Sequence, residues 1–395
     1  MIYFNALGSF YRIFINHKGS VFMFTRIFRT KKEAAFYLVI CLFLLISSSG
    51  CFLNDDTAPF YNAKKYDAAT LAAVNGIIDS SVAAGNSCTL AGIWNEGYET
   101  LLIAKGASDI ATGRAGKITD RFRIASNTKM FTAVGVLMLA DRKKIALDDK
   151  LSKYLPEIPH SDRVTIRQVA NHTAGYFNYS NSSEFGQAVL ADKSKAWTPQ
   201  EIMATIKDKP LDFEPGTKYK YSNTGYIILG LLIEKTSGIK WETFITEKIL
   251  SPLGMSDTYC SNDIDITGDH INGYGYEGTA PVEIKLNPST AWAAGCLVST
   301  ISDLKKWLDA IRQGALLSPE MQAEHKKWVA AESGNKYGFG LEFVLSNYMG
   351  HTGSYPGYYS FVFISLDGKK SVIIVHNIDA DPSATAGKII KYLGM

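Results

Sequence analysis

Three short patterns hold the residues whose types and spacing could do chemistry. The first, Ser126-Asn127-Thr128-Lys129, sets a hydroxyl and an amine three residues apart. On a helix that spacing places both on one face, so the Lys129 amine can reach the Ser126 hydroxyl and take its proton as the oxygen attacks a carbonyl. The pattern S-x-x-K recurs at Ser237, Ser302 and Ser333, so spacing alone does not single out Ser126. The flank does: from Met130 to Ala140 only Thr132 is polar, and burial in such a run disfavours the ammonium form and turns Lys129 into a base near neutrality. If Ser126 opens that helix, orphan amides and the positive dipole end lie beside it to stabilise an oxyanion. Ser302, by contrast, stands where a helix cap belongs, immediately before Asp303 and an apolar-periodic segment.

The second pattern is Tyr221-Ser222-Asn223. Tyr-x-Asn also occurs at Tyr3, Tyr176 and Tyr179, but only Tyr221 follows a Pro215-Gly216 turn and precedes an apolar helix, which together make a short rigid loop. A phenol beside an ammonium can shuttle a proton, so Lys129 and Tyr221 act as one coupled pair, with either able to hold the proton. Asn223 would orient Lys129 and hydrogen-bond a substrate amide. The third pattern, His351-Thr352-Gly353 followed by Ser354, lies between strand-like runs and is the chain's single H-T-G. A glycine in an edge strand permits close approach of a substrate backbone, and the Ser354 amide could join that of Ser126 as a second oxyanion donor.

These patterns need a scaffold. Helical periodicity over residues 66 to 84 is followed by a hairpin of two apolar runs, 89 to 94 and 100 to 104. The run from Met130 reads as a helix buried on nearly all sides, its cationic end at Arg142 to Lys144 suiting the helix dipole. Helical segments and Gly/Pro/Asn-rich loops then occupy residues 145 to 288, including an apolar stretch from Tyr226 to Ile233. A helix at 302 to 311 precedes strand runs at 338 to 344, 358 to 364 and 371 to 375, and residues 382 to 392 make a terminal helix. Strands at both ends with helices between imply an α/β (α+β) fold in which the termini share one sheet and 145 to 288 form an inserted, mainly helical lobe.

Composition bounds the rest. The 395 residues, 46% hydrophobic and 20% charged, are ordinary for a globular chain, and the formal charge of +3 comes from the first fifty residues. Residues 51 to 395 carry 35 basic against 37 acidic side chains, with none of the basic patch that phosphate neutralisation requires, so nucleic acid is excluded as a partner. Basic residues at 26 to 32, a wholly apolar run from Ala34 to Ile46, and small residues leading into Cys51 have the layout of a secretory signal over 1 to 50. Its start could be Met23. Small residues running into Cys51 also look like a lipoprotein signal, which would make Cys51 the lipidated N-terminus, anchor the chain to a membrane, and leave 51 to 65 as a tether before a domain at 66 to 395. Ser48 departs from that pattern, where Leu is usual. Of the remaining cysteines, Cys88, Cys260 and Cys296 have no metal spacing and read best as buried small hydrophobes, although one pair could bridge in an oxidising compartment.

Taken in order, Ser126-x-x-Lys129, Tyr221-x-Asn223 and His351-Thr352-Gly353 resemble the penicillin-recognising serine hydrolases, the class C beta-lactamase and D-alanyl-D-alanine carboxypeptidase family. The resemblance runs from about Phe122 to Gly357 and takes in Phe122-Arg123-Ile124-Ala125, Ile166-Arg167-Gln168, Asn171-His172-Thr173, Gly295, Ser299-Thr300 and Asp303-Leu304. It implies an antiparallel sheet packed between helices, an active site in the cleft beside the helical lobe, acyl-enzyme chemistry at Ser126, and no metal or organic cofactor. Substrates would be small peptides, esters or beta-lactams. His351 stands where Lys is usual in beta-lactamases, which looks more like the carboxypeptidase and D-aminopeptidase branch. A titrating imidazole there is expected to lose its hold on a substrate carboxylate as pH rises. The expectation is therefore an exported D-alanyl-D-alanine carboxypeptidase-like hydrolase, with beta-lactamase and esterase or D-amino-acid amidase as alternatives. A non-catalytic penicillin-binding sensor is disfavoured because all three motifs are intact.

Overall fold

The computed structural model describes residues 2–6, 9–15, 21–25, 63–85, 87–378 and 380–395. They fall into two units, 1–62 and 63–395. In the first, strands Ile2–Ala6, Ser9–Ile15 and Val21–Thr25 form an antiparallel sheet. The apolar run at 34 to 46, Cys51 and most of the expected tether lie outside the described residues. No helix of the described residues is long and apolar enough to cross a membrane.

The second unit is built on a nine-stranded antiparallel sheet. Its strands are β1 (Cys88–Asn95), β2 (Leu101–Asp109), β3 (Arg114–Ala115), β4 (Val329–Ala330), β5 (Lys336–Tyr337), β6 (Glu342–Val344), β7 (Tyr348–Tyr355), β8 (Tyr358–Ser365) and β9 (Lys370–His376), in the order β4-β5-β6-β7-β8-β9-β1-β2-β3. The β9–β1 pairing joins the two ends of the domain in one sheet, as the strand distribution implies. The unbroken apolar run Val372-Ile373-Ile374-Val375 marks a strand covered on both faces. Val372 and Ile374 pack with Val74 and Ile78 of α1 (Ala68–Ala83) and with Ala386 and Ile389 of α5 (Ser383–Leu393). Ile373 and Val375 belong to the larger core on the opposite face, with Leu304, Trp307 and Leu308 of α4 (Ile301–Gln313).

That larger core surrounds α2 (Thr128–Asp141), buried at every position from Thr128 to Leu139. The one polar residue of that buried stretch after Lys129, Thr132, donates to the Ala293 carbonyl at 2.7 Å and accepts from Trp241 Nε1 at 3.2 Å. Against it lies α3 (Asn223–Ser237), so close that a Cβ on Gly135 would come within 3.0 Å of Ile233 Cδ1. The helix ends at Asp141, so the expected cations sit just past the last turn, with Lys143 in a left-handed conformation.

Two expectations change. The segment 145–288 carries many short helices, but its last part leaves helical structure: Tyr259–Cys260 joins Phe122–Arg123 and Leu297–Ser299 in a three-stranded sheet, and Tyr274–Glu277 pairs with Ala280–Glu283. Ser302 is not a cap. Thr300 caps α4 by accepting from the Asp303 amide, and Ser302 lies one residue inside the helix.

Candidate active site

Ser126 lies on a one-turn 3-10 segment, Ala125–Asn127, that runs directly into α2. Ala125 is forced to φ 52°, a left-handed conformation that costs an alanine about 1–2 kcal/mol. The surroundings hold it there. Asn127 Nδ2 donates to the Ile124 carbonyl at 3.0 Å and to Ser360 Oγ at 2.8 Å, and the Ile124 amide donates to the Leu297 carbonyl at 2.9 Å. Gly353 of β7 touches the same turn. A Cβ there would lie 2.5 Å from the Ile124 carbonyl and 2.3 Å from Ser360 Oγ, so its glycine serves close approach of the turn that carries Ser126, not the expected approach of substrate.

Lys129, three residues on, is fully buried. Its Nζ lies 3.0 Å from Ser126 Oγ and donates to Asn223 Oδ1 and to the Ala294 carbonyl, each at 2.8 Å. Burial holds its pKa well below the ordinary lysine value, against the opposing pull of Glu342. Tyr221 has the Ser126 hydroxyl as a hydrogen-bond partner, and burial raises its phenol well above the ordinary value. Both shifts favour the neutral pair, amine and phenol. Lys129 Nζ also sits 5.0 Å from the Tyr221 ring centroid.

The loop that carries Tyr221 and Asn223 is fixed from beneath. The Ser222 amide donates to His172 Nδ1 at 3.2 Å, the Asn223 amide to Asn178 Oδ1 at 3.0 Å, and Asn223 Nδ2 to Ser180 Oγ at 3.2 Å. The His172 ring packs 4.4 Å from that of Tyr221. Ser126, Tyr221, Asn223, Thr352 and Ser354 thus line one cleft of about 680 Å³.

A family model described as Beta-lactamase matches residues 75–391. The chain belongs to the beta-lactamase family. It is 28% identical over 298 residues to penicillin-binding protein 4* of Bacillus subtilis, an alignment covering 70% of this chain and 65% of that protein, just under two thirds of the relative's length. Among solved structures, a D-stereospecific amidohydrolase from Streptomyces superposes with a TM-score of 0.73 at 28% identity, covering 81% of this chain and 97% of its own. The D-amino acid amidase of Ochrobactrum anthropi complexed with L-phenylalanine gives a TM-score of 0.74 at 25% identity, covering 82% and 99%. The serine-hydrolase fold of the family, with its large antiparallel sheet flanked by helices, is the fold of this chain.

Within that family frame, His351 departs from the expectation. It is buried and does not line the cleft. Its Nδ1 lies 2.5 Å from the Thr352 carbonyl, which only accepts, so Nδ1 carries the hydrogen and Nε2 accepts from the Tyr337 hydroxyl at 2.9 Å. Desolvation, with Lys129 nearby, pushes its pKa down to about 3. The imidazole is therefore neutral from pH 5 to 8, and the expected titrating cation is absent from this position.

The charged group beside this strand is Glu342, which sequence reasoning missed inside the supposed strand 338 to 344. Only the last three residues of that run are a strand, β6; residues 338–341 separate it from β5, and Gly340 there adopts φ +68° over the Lys129 carbonyl. The break delivers Glu342 to the cleft with its side chain 19% exposed. Its Oε1 accepts from Thr352 Oγ1 at 2.8 Å and its Oε2 from the Thr352 amide at 3.3 Å. Burial raises its pKa to about 7, although the Thr352 bonds pull it down. A lone acid in an otherwise apolar run was the available signal. Among the described residues, no group of three or more His, Cys, Asp or Glu could hold a metal ion.

Proposed function

We propose that this protein is a serine acyl hydrolase that cleaves small amides or esters through an acyl-enzyme on Ser126, with D-amino-acid amides or amino-terminal peptides as its substrate class. The observation that carries the chemistry is the set of partners around Lys129 Nζ. A neutral amine has two N–H bonds and one lone pair; Asn223 and Ala294 take the N–H bonds, and the lone pair is left for the Ser126 hydroxyl. As the Ser126 Oγ–carbon bond forms, the hydroxyl proton passes to Lys129, and the amides of Ser126 and Ser354 stabilise the oxyanion. Tyr221 donates its proton to the departing nitrogen or oxygen and regains one from Lys129 as the scissile bond breaks. Water then attacks the acyl group, and the same proton path runs in reverse.

Glu342 supports the choice of substrate. A carboxypeptidase substrate or a beta-lactam brings a carboxylate beside the scissile bond. Here Thr352, whose hydroxyl and amide could receive one, already donates to a carboxylate. A second negative charge in a poorly solvated cleft is repelled, whereas a neutral amide or an ammonium is favoured. The carboxypeptidase reading rests on the likeness to a penicillin-binding protein and on Lys336 at the cleft rim, and it requires Glu342 in its protonated form. We also propose that the chain is exported, with Cys51 as the lipidated residue; the composition of residues 26 to 51 supports this.

The test compares kcat/KM at pH 8 for one D-Ala-D-Ala peptide as its free acid and as its C-terminal amide. The amide is expected to be cleaved about tenfold faster or more. Faster cleavage of the free acid would return the assignment to carboxypeptidase.

A further inference from the structure

Cys260 and Cys296 lie 36 positions apart in the chain, and their Sγ atoms are 2.8 Å from one another. The contact is not the pair of buried hydrophobes expected from sequence: Cys296 is buried, but Cys260 is partly exposed. The pair sits behind the active site. Cys260 is in register opposite Leu297, the neighbour of Cys296. The Leu297 carbonyl accepts from the Ile124 amide, and its own amide donates to Thr128 Oγ1, so it grips the nucleophile's turn on both sides of Ser126. Two residues before Cys296, the Ala294 carbonyl accepts from Lys129. Residues 294–297 therefore hold the nucleophile's turn and its base together, with Cys296 between the two contacts.

We propose that Cys260 and Cys296 form a disulfide that clamps segment 294–297 against the strand Tyr259–Cys260 and so fixes the Ala294 carbonyl under Lys129. The oxidant is a small-molecule or protein disulfide. The partly exposed Cys260 thiolate attacks it, one thiol leaves, and a mixed disulfide forms on Cys260. Cys296, as thiolate, then attacks Cys260 Sγ and expels the second thiol, so two protein thiols are oxidised and one external disulfide is reduced. Burial raises the Cys296 thiol well above its ordinary pKa, which slows the closing step and makes it the one to accelerate with pH. Cys88 provides an internal control, because it is buried in the sheet with its pKa pushed up to about 12.

The pairing test does not depend on the proposed activity. The full chain is equilibrated with oxidised glutathione, alkylated without reduction, and digested with trypsin, which separates residues 249–285 from 286–305. The expected product is these two peptides joined by a disulfide, with Cys88 alkylated once the chain is denatured. Recovery of both peptides singly alkylated overturns the pairing. The clamp is tested on the linked protein by adding reductant, which is expected to lower the melting midpoint by a few degrees and to slow hydrolysis of a D-amino-acid anilide. Cys260→Ser, whose residue lies at the edge of the small sheet, should match the reduced protein. A linked protein whose midpoint and rate both ignore reductant overturns the clamp, leaving only the cross-link.

Discussion

The two walls of the cleft are built on opposite terms. On the helical wall, Lys129 is fully buried and each of its polar contacts is supplied by the protein, from Ser126, Asn223 and Ala294. On the sheet wall, Glu342 is only partly buried, and it uses up the Thr352 donors that a substrate could otherwise engage. On the proposed mechanism, the first arrangement sets which bond-making chemistry is available, and the second sets which charges are tolerated beside it. Both groups are shifted towards neutrality by burial, but Glu342, with a pKa of about 7, changes charge in the physiological range.

Breaking the helical wall should have the largest effect. Lys129→Ala or Ser126→Ala is expected to lower kcat/KM for any substrate by about 10³-fold or more, because base and nucleophile act as one unit. Tyr221→Phe keeps the packing on His172 and removes only the proton relay, and should cost about 10²–10⁴-fold in kcat. An equal loss in KM and none in kcat would remove Tyr221 from the chemistry.

The sheet wall should respond through selectivity and pH. Because the folded pKa of Glu342 is raised above that of an unfolded glutamate, its carboxyl is protonated below about pH 7 and charged above it. For an ammonium substrate, KM should therefore fall as pH rises through 7, and Glu342→Gln should flatten that profile. The same sign applies to stability. A raised carboxyl pKa means that stability is lost as pH climbs from the unfolded value, about 4.3, to about 7, by at most about 4 kcal/mol. Glu342→Gln should consequently raise the melting midpoint more at pH 8 than at pH 5. Gly353→Ala tests the junction between the walls, since its Cβ would meet Ile124 and Ser360, and about 1–3 kcal/mol of stability should be lost. The smallest effect is expected for His351→Gln: the imidazole is neutral from pH 5 to 8, so the variant should keep a single KM transition, moved only as far as loss of the 3.3 Å contact between His351 Nδ1 and Glu342 Oε1 moves it.

The contrast also explains what could be read from sequence. Ser126 and Lys129 were legible because their spacing and the apolar run behind them fix a helix and its burial together, and that helix forms as expected. The strands at both chain ends were legible for the same reason, since runs such as Val372 to Val375 admit few alternatives. The sheet wall was not. His351 reads as a titrating cation for a substrate carboxylate because local sequence does not show that Tyr337 and the Thr352 carbonyl occupy both its nitrogens. Glu342 was hidden because the break at Gly340, which turns it into the cleft, depends on packing against Lys129 and Ala133, remote in sequence. The contact between Cys260 and Cys296 likewise arises from pairing of distant segments.

The central claim, an acyl-enzyme on Ser126 activated by neutral Lys129, is tested most directly by intact-mass spectrometry of the full chain quenched during turnover of a p-nitrophenyl ester. One added acyl group is expected on the wild type, located on the peptide containing Ser126 and absent from Ser126→Ala. An adduct that persists in Ser126→Ala, or turnover by that variant at the wild-type rate, would contradict it.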